Sequence, residues 1–92
     1  MVMDVREGVG LKGIPLASEE AMRAGLYWFR EEELVEPIDW DYLASLPVRV
    51  RAALDAYMRG EVSLGKAAEL SGLGFVEFDR IRTRARVPVR AP

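Results

Sequence analysis

Cysteine and histidine are both absent from this chain of 92 residues. Without cysteine there is neither a disulfide framework nor a thiolate metal site. Without histidine the commonest metal ligand is missing, and so is the usual general base near neutral pH. A Gly-rich phosphate loop and a spaced metal-binding cluster are missing too. Ser18, Ser45, Ser63 and Ser71 sit where caps or turns want serine, with no base placed to activate them. Neither catalysis nor a cofactor is therefore expected. No apolar run approaches the ~20 residues that span a bilayer. The opening MVMDVREG has no basic region followed by an apolar core, so it does not read as a signal peptide. A soluble, cytoplasmic protein with no membrane partner is the expectation.

What is present suits one small, mainly α-helical domain. Half of the residues are hydrophobic, which argues against wholesale disorder. The net charge of -2 conceals an asymmetry. Residues 1–48 hold four Lys/Arg against ten Asp/Glu, whereas residues 49–92 hold nine against five. A basic half can meet nucleic acid or an acidic partner, or it can attract the acidic half.

Residues 1–17, with three glycines and one proline, read as an extended arm. Ser18 then looks like an N-cap, followed by Glu19 and Glu20 at the positive end of a helix dipole. That helix is predicted to run to about Glu33, with Met22, Leu26 and Phe29 on one face. The run Glu31–Glu33 reads first as a solvated face, and more sharply as an acidic patch for a basic surface. Asp39 can cap a short turn through Leu46, with Trp40 and Leu43 facing inward. Pro47 suits the start of a helix through Arg59, and Gly60 its stop. The chain thus divides into an arm and helix at residues 1–46 and a helical part at residues 47–92. The first is a candidate for dimerisation or partner binding.

The stretch VSLGKAAELSGLGFVEFDRIRTRAR, Val62 to Arg86, carries the most information. Ser63 is an N-cap for a helix over Leu64 to Ser71. Ala67 and Ala68 leave room for a crossing helix, Gly72 permits a left-handed turn, and Leu73 plugs the angle. Phe75, Phe78 and Ile81 are expected to give the next helix an apolar face against Leu64, Ala67 and Ala68. This ordered set is the pattern of a helix-turn-helix.

The string YMRGEVSLGKAAELSGLGFVEF, Tyr57 to Phe78, resembles the signature of a family of short prokaryotic proteins. These are known as an uncharacterised protein family (UPF) and are commonly treated as antitoxins. Ser63 to Leu70, Gly72, Glu77 and Phe78 match its pattern, and Val87-Pro88-Val89 resembles its closing segment. The likeness covers about residues 50–90; residues 1–46 differ from the family's usual amino terminus. The resemblance implies a partner, a toxin of the PIN-domain ribonuclease type.

In a DNA-docked helix-turn-helix the start of the second helix enters the major groove. Gly74, Val76, Glu77, Asp79, Arg80 and Thr83 would face outward there, a set with two carboxylates and one arginine. Candidate DNA contacts are Lys66, Val76, Arg80, Arg82, Thr83, Arg84 and Arg86. Glu77 is instead a candidate for an ion pair with Lys66 or Arg80. Candidate protein-partner contacts are Phe75, Arg84, Arg86, Val87, Val89 and Arg90. Phe75 and Val76 would meet a second protomer, and the period-two tail would act as an edge strand against an acidic surface.

Three functions follow as expectations. One is an antitoxin-like protein that neutralises a PIN-type ribonuclease and, as a homodimer, represses its own operon by binding DNA. Another is a DNA-binding regulator or recombination accessory without a toxin. The third is a helix-turn-helix turned into a protein-interaction module with no DNA contact.

Overall fold

The computed structural model describes residues 13–90. Most of the expected amino-terminal arm, residues 1–12, lies outside the described residues. The described chain is mainly helical, without strands: α1 (Glu19–Arg23), a 3-10 turn (Glu31–Glu33), α2 (Trp40–Ala44), α3 (Val48–Met58), α4 (Leu64–Ser71) and α5 (Phe75–Ala85). No helix among the described residues is long and apolar enough to cross a membrane.

Serine and aspartate caps set most helix starts. Ser18 Oγ accepts from Ala21 N–H at 3.1 Å, Asp39 Oδ1 from Tyr42 N–H at 3.0 Å, and Ser63 Oγ from Lys66 N–H at 3.1 Å. Each bond satisfies a first-turn donor that has no partner within its own helix. Pro47 precedes α3 as its N-cap, and the backbone turns left-handed at Gly60 (φ 80°) just after it. The left-handed residue after α4 is Gly72 (φ 83°, ψ 1°), and three residues later α5 begins. α3 packs mainly on α4, and α4 on α5, which is the expected helix-turn-helix with a supporting helix. Ala67 and Ala68 are buried at that crossing.

The amino-terminal helix is much shorter than the periodicity suggests. α1 ends at Arg23, and Gly25 adopts φ 78°, a left-handed geometry that breaks the helix. The aromatic run beyond it explains the break. Tyr27 and Phe29 are buried and Trp28 half-buried, so three consecutive side chains lie against the core. A helix would spread them 100° apart and turn one to solvent. Long-range bonds hold the non-helical path: Trp28 N–H donates to Met58 O at 3.0 Å, and Trp28 Nε1–H to Tyr57 O at 2.8 Å. The rings interlock, Trp28 lying edge-on to both Phe29 and Tyr57. The last carbonyls of α3 are thereby satisfied.

Residues from both parts of the chain share one core. Ala21, Tyr27, Phe29, Ile38 and Leu43 cluster with Leu54, Tyr57, Met58, Phe78, Ala85 and Val87. At its centre is a buried carboxylate, Asp55, 4% exposed. Its Oδ1 accepts from Tyr27 Oη–H at 2.7 Å and Ala17 N–H at 3.0 Å, and its Oδ2 from Arg59 Nε–H at 2.7 Å. Burial, and after it the bond to Asp55, pushes the Tyr27 phenol well above its usual pKa. The phenol therefore stays protonated and ties the amino-terminal segment to α3.

Candidate functional site

The candidate contacts expected from the sequence lie mostly on α5, and helix geometry decides which of its residues face outward. Phe78 and Ala85 are seven positions apart, nearly two full turns, and both are fully buried. Phe75 stands about 60° off that line, at the very start of the helix, and is 52% exposed rather than pressed on α4 as expected. Val76 is 64% exposed, and Leu70 in the last turn of α4 is 44% exposed. The turn end of the helix pair thus carries an apolar patch. Ile81 and Leu73 pack half-buried against the core.

The basic residues assigned to DNA do not act as one surface. Arg82 is turned inward: Nε donates to Asp79 Oδ1 at 2.8 Å, Nη1 to Val87 O at 2.7 Å and Nη2 to Thr83 Oγ1 at 3.0 Å. With its side chain 13% exposed and its fork engaged, Arg82 clamps the tail rather than facing a phosphate. Arg84 lies over the Tyr42 ring, 4.5 Å from its centroid. Arg86, the left-handed residue after α5, donates from Nε to Pro37 O at 2.6 Å and lies 3.9 Å from Glu36. Both residues are nevertheless exposed, at the end of α5 far from its first turn. Lys66 pairs with Glu69 at 3.6 Å, and no ion pair joins Glu77 to Lys66 or Arg80 among the described residues. Asp79 is committed to Arg82, so of the two carboxylates Glu77 alone stands free on the first turns.

The tail also departs from an edge strand. Arg84 and Ala85 are helical, and Val87 is 1% exposed, so Val87 is a core residue, not a partner contact. The helix continues because Phe78 and Ala85 share its buried line, and Arg82 then draws Val87 inward. Val89 is exposed, whereas Arg90 N–H donates to Tyr57 Oη at 2.7 Å. Arg90 is thereby carried to the carboxyl end of α3, away from Arg84 and Arg86. A groove of about 360 Å³ remains between the Glu33–Glu36 segment and the end of α5, with Val87 and Pro88 in its lining.

Sequence reasoning missed one residue that positions this surface and one that anchors the core. Arg49 donates from Nε to Leu70 O at 2.9 Å and lies across Gly72, bracing the turn before α5. Asp55 was not singled out at all, although it stands four positions before Arg59 on α3, the spacing of an ion pair. No family model, curated protein or solved structure matches the chain.

Proposed function

We propose that this chain is an antitoxin-like protein that binds and neutralises a PIN-type ribonuclease, meeting it through the apolar first turn of α5. The observation that carries the reading is the exposure of Phe75 and Val76 beside Leu70, with no basic residue on that turn before Arg80. A large apolar patch favours a protein over a phosphate backbone. The nature of the partner comes from the family resemblance of Tyr57 to Phe78. The exposed residues Arg84 and Arg86 offer a second contact to an acidic surface, as the carboxylate-lined site of such a ribonuclease would be.

Co-expression with the product of the adjacent reading frame tests this. The two are expected to purify together and ribonuclease activity to fall. Separate elution with unchanged activity would count against it. Autoregulation by DNA binding is the second reading, favoured by Val76, Arg80 and Thr83, which follow one another at i, i+4 and i+7 on the exposed face of α5. Promoter binding over a salt series tests it, because each phosphate contact steepens the salt dependence.

A further inference from the structure

Arg51, half-buried in the first turn of α3, has no polar partner among the described residues. Its Nε is shut off from solvent without an acceptor, and its guanidinium joins none of the ion pairs. A cation held this way lacks the compensation that buried charges normally find. It lines a pocket of about 250 Å³ between residues 15–20 and the face of α2 that carries Trp40, Asp41 and Ala44. The pocket wall is braced from within: Ala17 N–H donates to Asp55 Oδ1 at 3.0 Å and Ser18 Oγ–H to Pro15 O at 2.7 Å. Such a preformed space suits a ligand smaller than a drug-sized one.

The charges around the pocket decide the ligand's chemistry. Three carboxylates share it with Arg51, yet none pairs with it. Glu19 is taken by Arg23 at 3.0 Å. Glu20 and Asp41 are exposed and form no ion pair among the described residues. One unpaired cation thus stands apart from two unpaired carboxylates. A simple anion such as phosphate would meet the guanidinium but be repelled by Glu20 and Asp41, and a simple cation would meet the reverse. A zwitterion satisfies both signs. Its carboxylate can bridge Nη1 and Nη2 of Arg51, since the closed Nε leaves the end of the fork for recognition. Its ammonium has three donors for the two carboxylates. Leu16 and Trp40 add an apolar lining for a hydrocarbon side chain.

From this we infer that the pocket between residues 15–20, α2 and Arg51 is a binding site for a free α-amino acid with an apolar side chain. None of its residues belongs to the surface assigned to a ribonuclease or to DNA, so the site stands apart from the proposed function.

Nuclear magnetic resonance titration of the isotope-labelled full chain tests the inference, because the two tryptophans report on different places. L-Leucine is expected to shift the Trp40 indole signal saturably, with a dissociation constant on the order of 1 mM or tighter. Trp28, whose indole bonds Tyr57 O at the far end of α3, should not respond. Leucinamide lacks the carboxylate and N-acetyl-leucine lacks the ammonium, so each should bind more weakly by on the order of 10-fold. Arg51→Met keeps the stem and removes the charge. No group of the fold bonds that guanidinium, so the thermal midpoint should not fall, while leucine affinity drops as far as with leucinamide. The absence of a saturable shift up to about 10 mM leucine overturns the inference, as does a folded Arg51→Met variant with unchanged affinity. Leucinamide binding as tightly as leucine would mark a peptide amino terminus as the ligand, and N-acetyl-leucine doing so a carboxyl terminus; either overturns the free amino acid. These two analogues decide the matter on the wild type even if the variant unfolds.

Discussion

Replacing Asp55 by alanine should cost a large share of the stability of this protein. The carboxylate is 4% exposed and accepts three hydrogen bonds. Its removal strands the buried Tyr27 hydroxyl and the Ala17 N–H, at about 1–3 kcal/mol for each orphaned donor. Arg59 loses its partner as well, but 26% of its side chain is exposed, so water takes over and that loss is about 1 kcal/mol or less. The sum is about 2–7 kcal/mol, against a total of about 5–15 kcal/mol for a small domain. With a urea slope of about 1–2 kcal/mol per M, the midpoint should fall by roughly 1 M or more. Tyr27→Phe alone should cost about 1–2 kcal/mol, because Ser18 N–H also loses its acceptor. The double variant should cost less than the two singles together, since removing the phenol removes one stranded donor. A midpoint shift below about 0.5 M for Asp55→Ala, or strict additivity, would refute the reasoning.

Other consequences can be measured on the same material. Because burial raises the folded-state pKa of Tyr27 above the unfolded value, its stabilising effect is complete below about pH 10 and is lost as pH climbs beyond that. Alkaline unfolding should begin there in the wild type and lose this component in Tyr27→Phe, as read by circular dichroism against tyrosinate absorbance. Gly72→Ala forces a side chain into φ 83° with the Arg49 guanidinium 3.1 Å from its Cβ, so thermal denaturation should report a loss of about 1–2 kcal/mol. Arg82→Ala releases Val87 O and Asp79 and should destabilise by about 1–3 kcal/mol, with faster amide exchange in the tail. Deleting residues 84–92 would take Ala85 and Val87 from the core, so Arg84→Glu with Arg86→Glu is the cleaner probe of an acidic partner. That pair should weaken ribonuclease capture, and because it also removes the Arg84–Tyr42 and Arg86–Pro37 contacts, capture is to be compared below the variant's own unfolding transition, read by circular dichroism.

The carboxyl-terminal half was legible because its signals are local. Ser63 caps within its own first turn, and Gly72 marks a left-handed residue that other side chains avoid, so α4 and the turn emerge directly from the sequence. The amino-terminal half was not, because its path is set at a distance. Met22, Leu26 and Phe29 mimic a helical face, yet Trp28 bonds carbonyls some thirty positions away on α3, which no periodicity encodes. Phe75 misled for a different reason: two successive spacings of three drift about 120° around a helix, so it could not share a buried line with Ile81. Among the arginines the sequence shows charge but not engagement. Arg82 and Arg80 look equivalent in the string, and only folding directs one to Asp79 and Val87 and leaves the other exposed.

The central claim is that the first turn of α5 meets a protein. Co-expression of the tagged chain with the adjacent reading frame's product, compared with the same experiment on Phe75→Ser, tests it most directly. The account predicts a co-purifying ribonuclease with the wild type and its loss with the variant, whose circular dichroism stays unchanged. Equal capture by both proteins, or capture by neither, would contradict it.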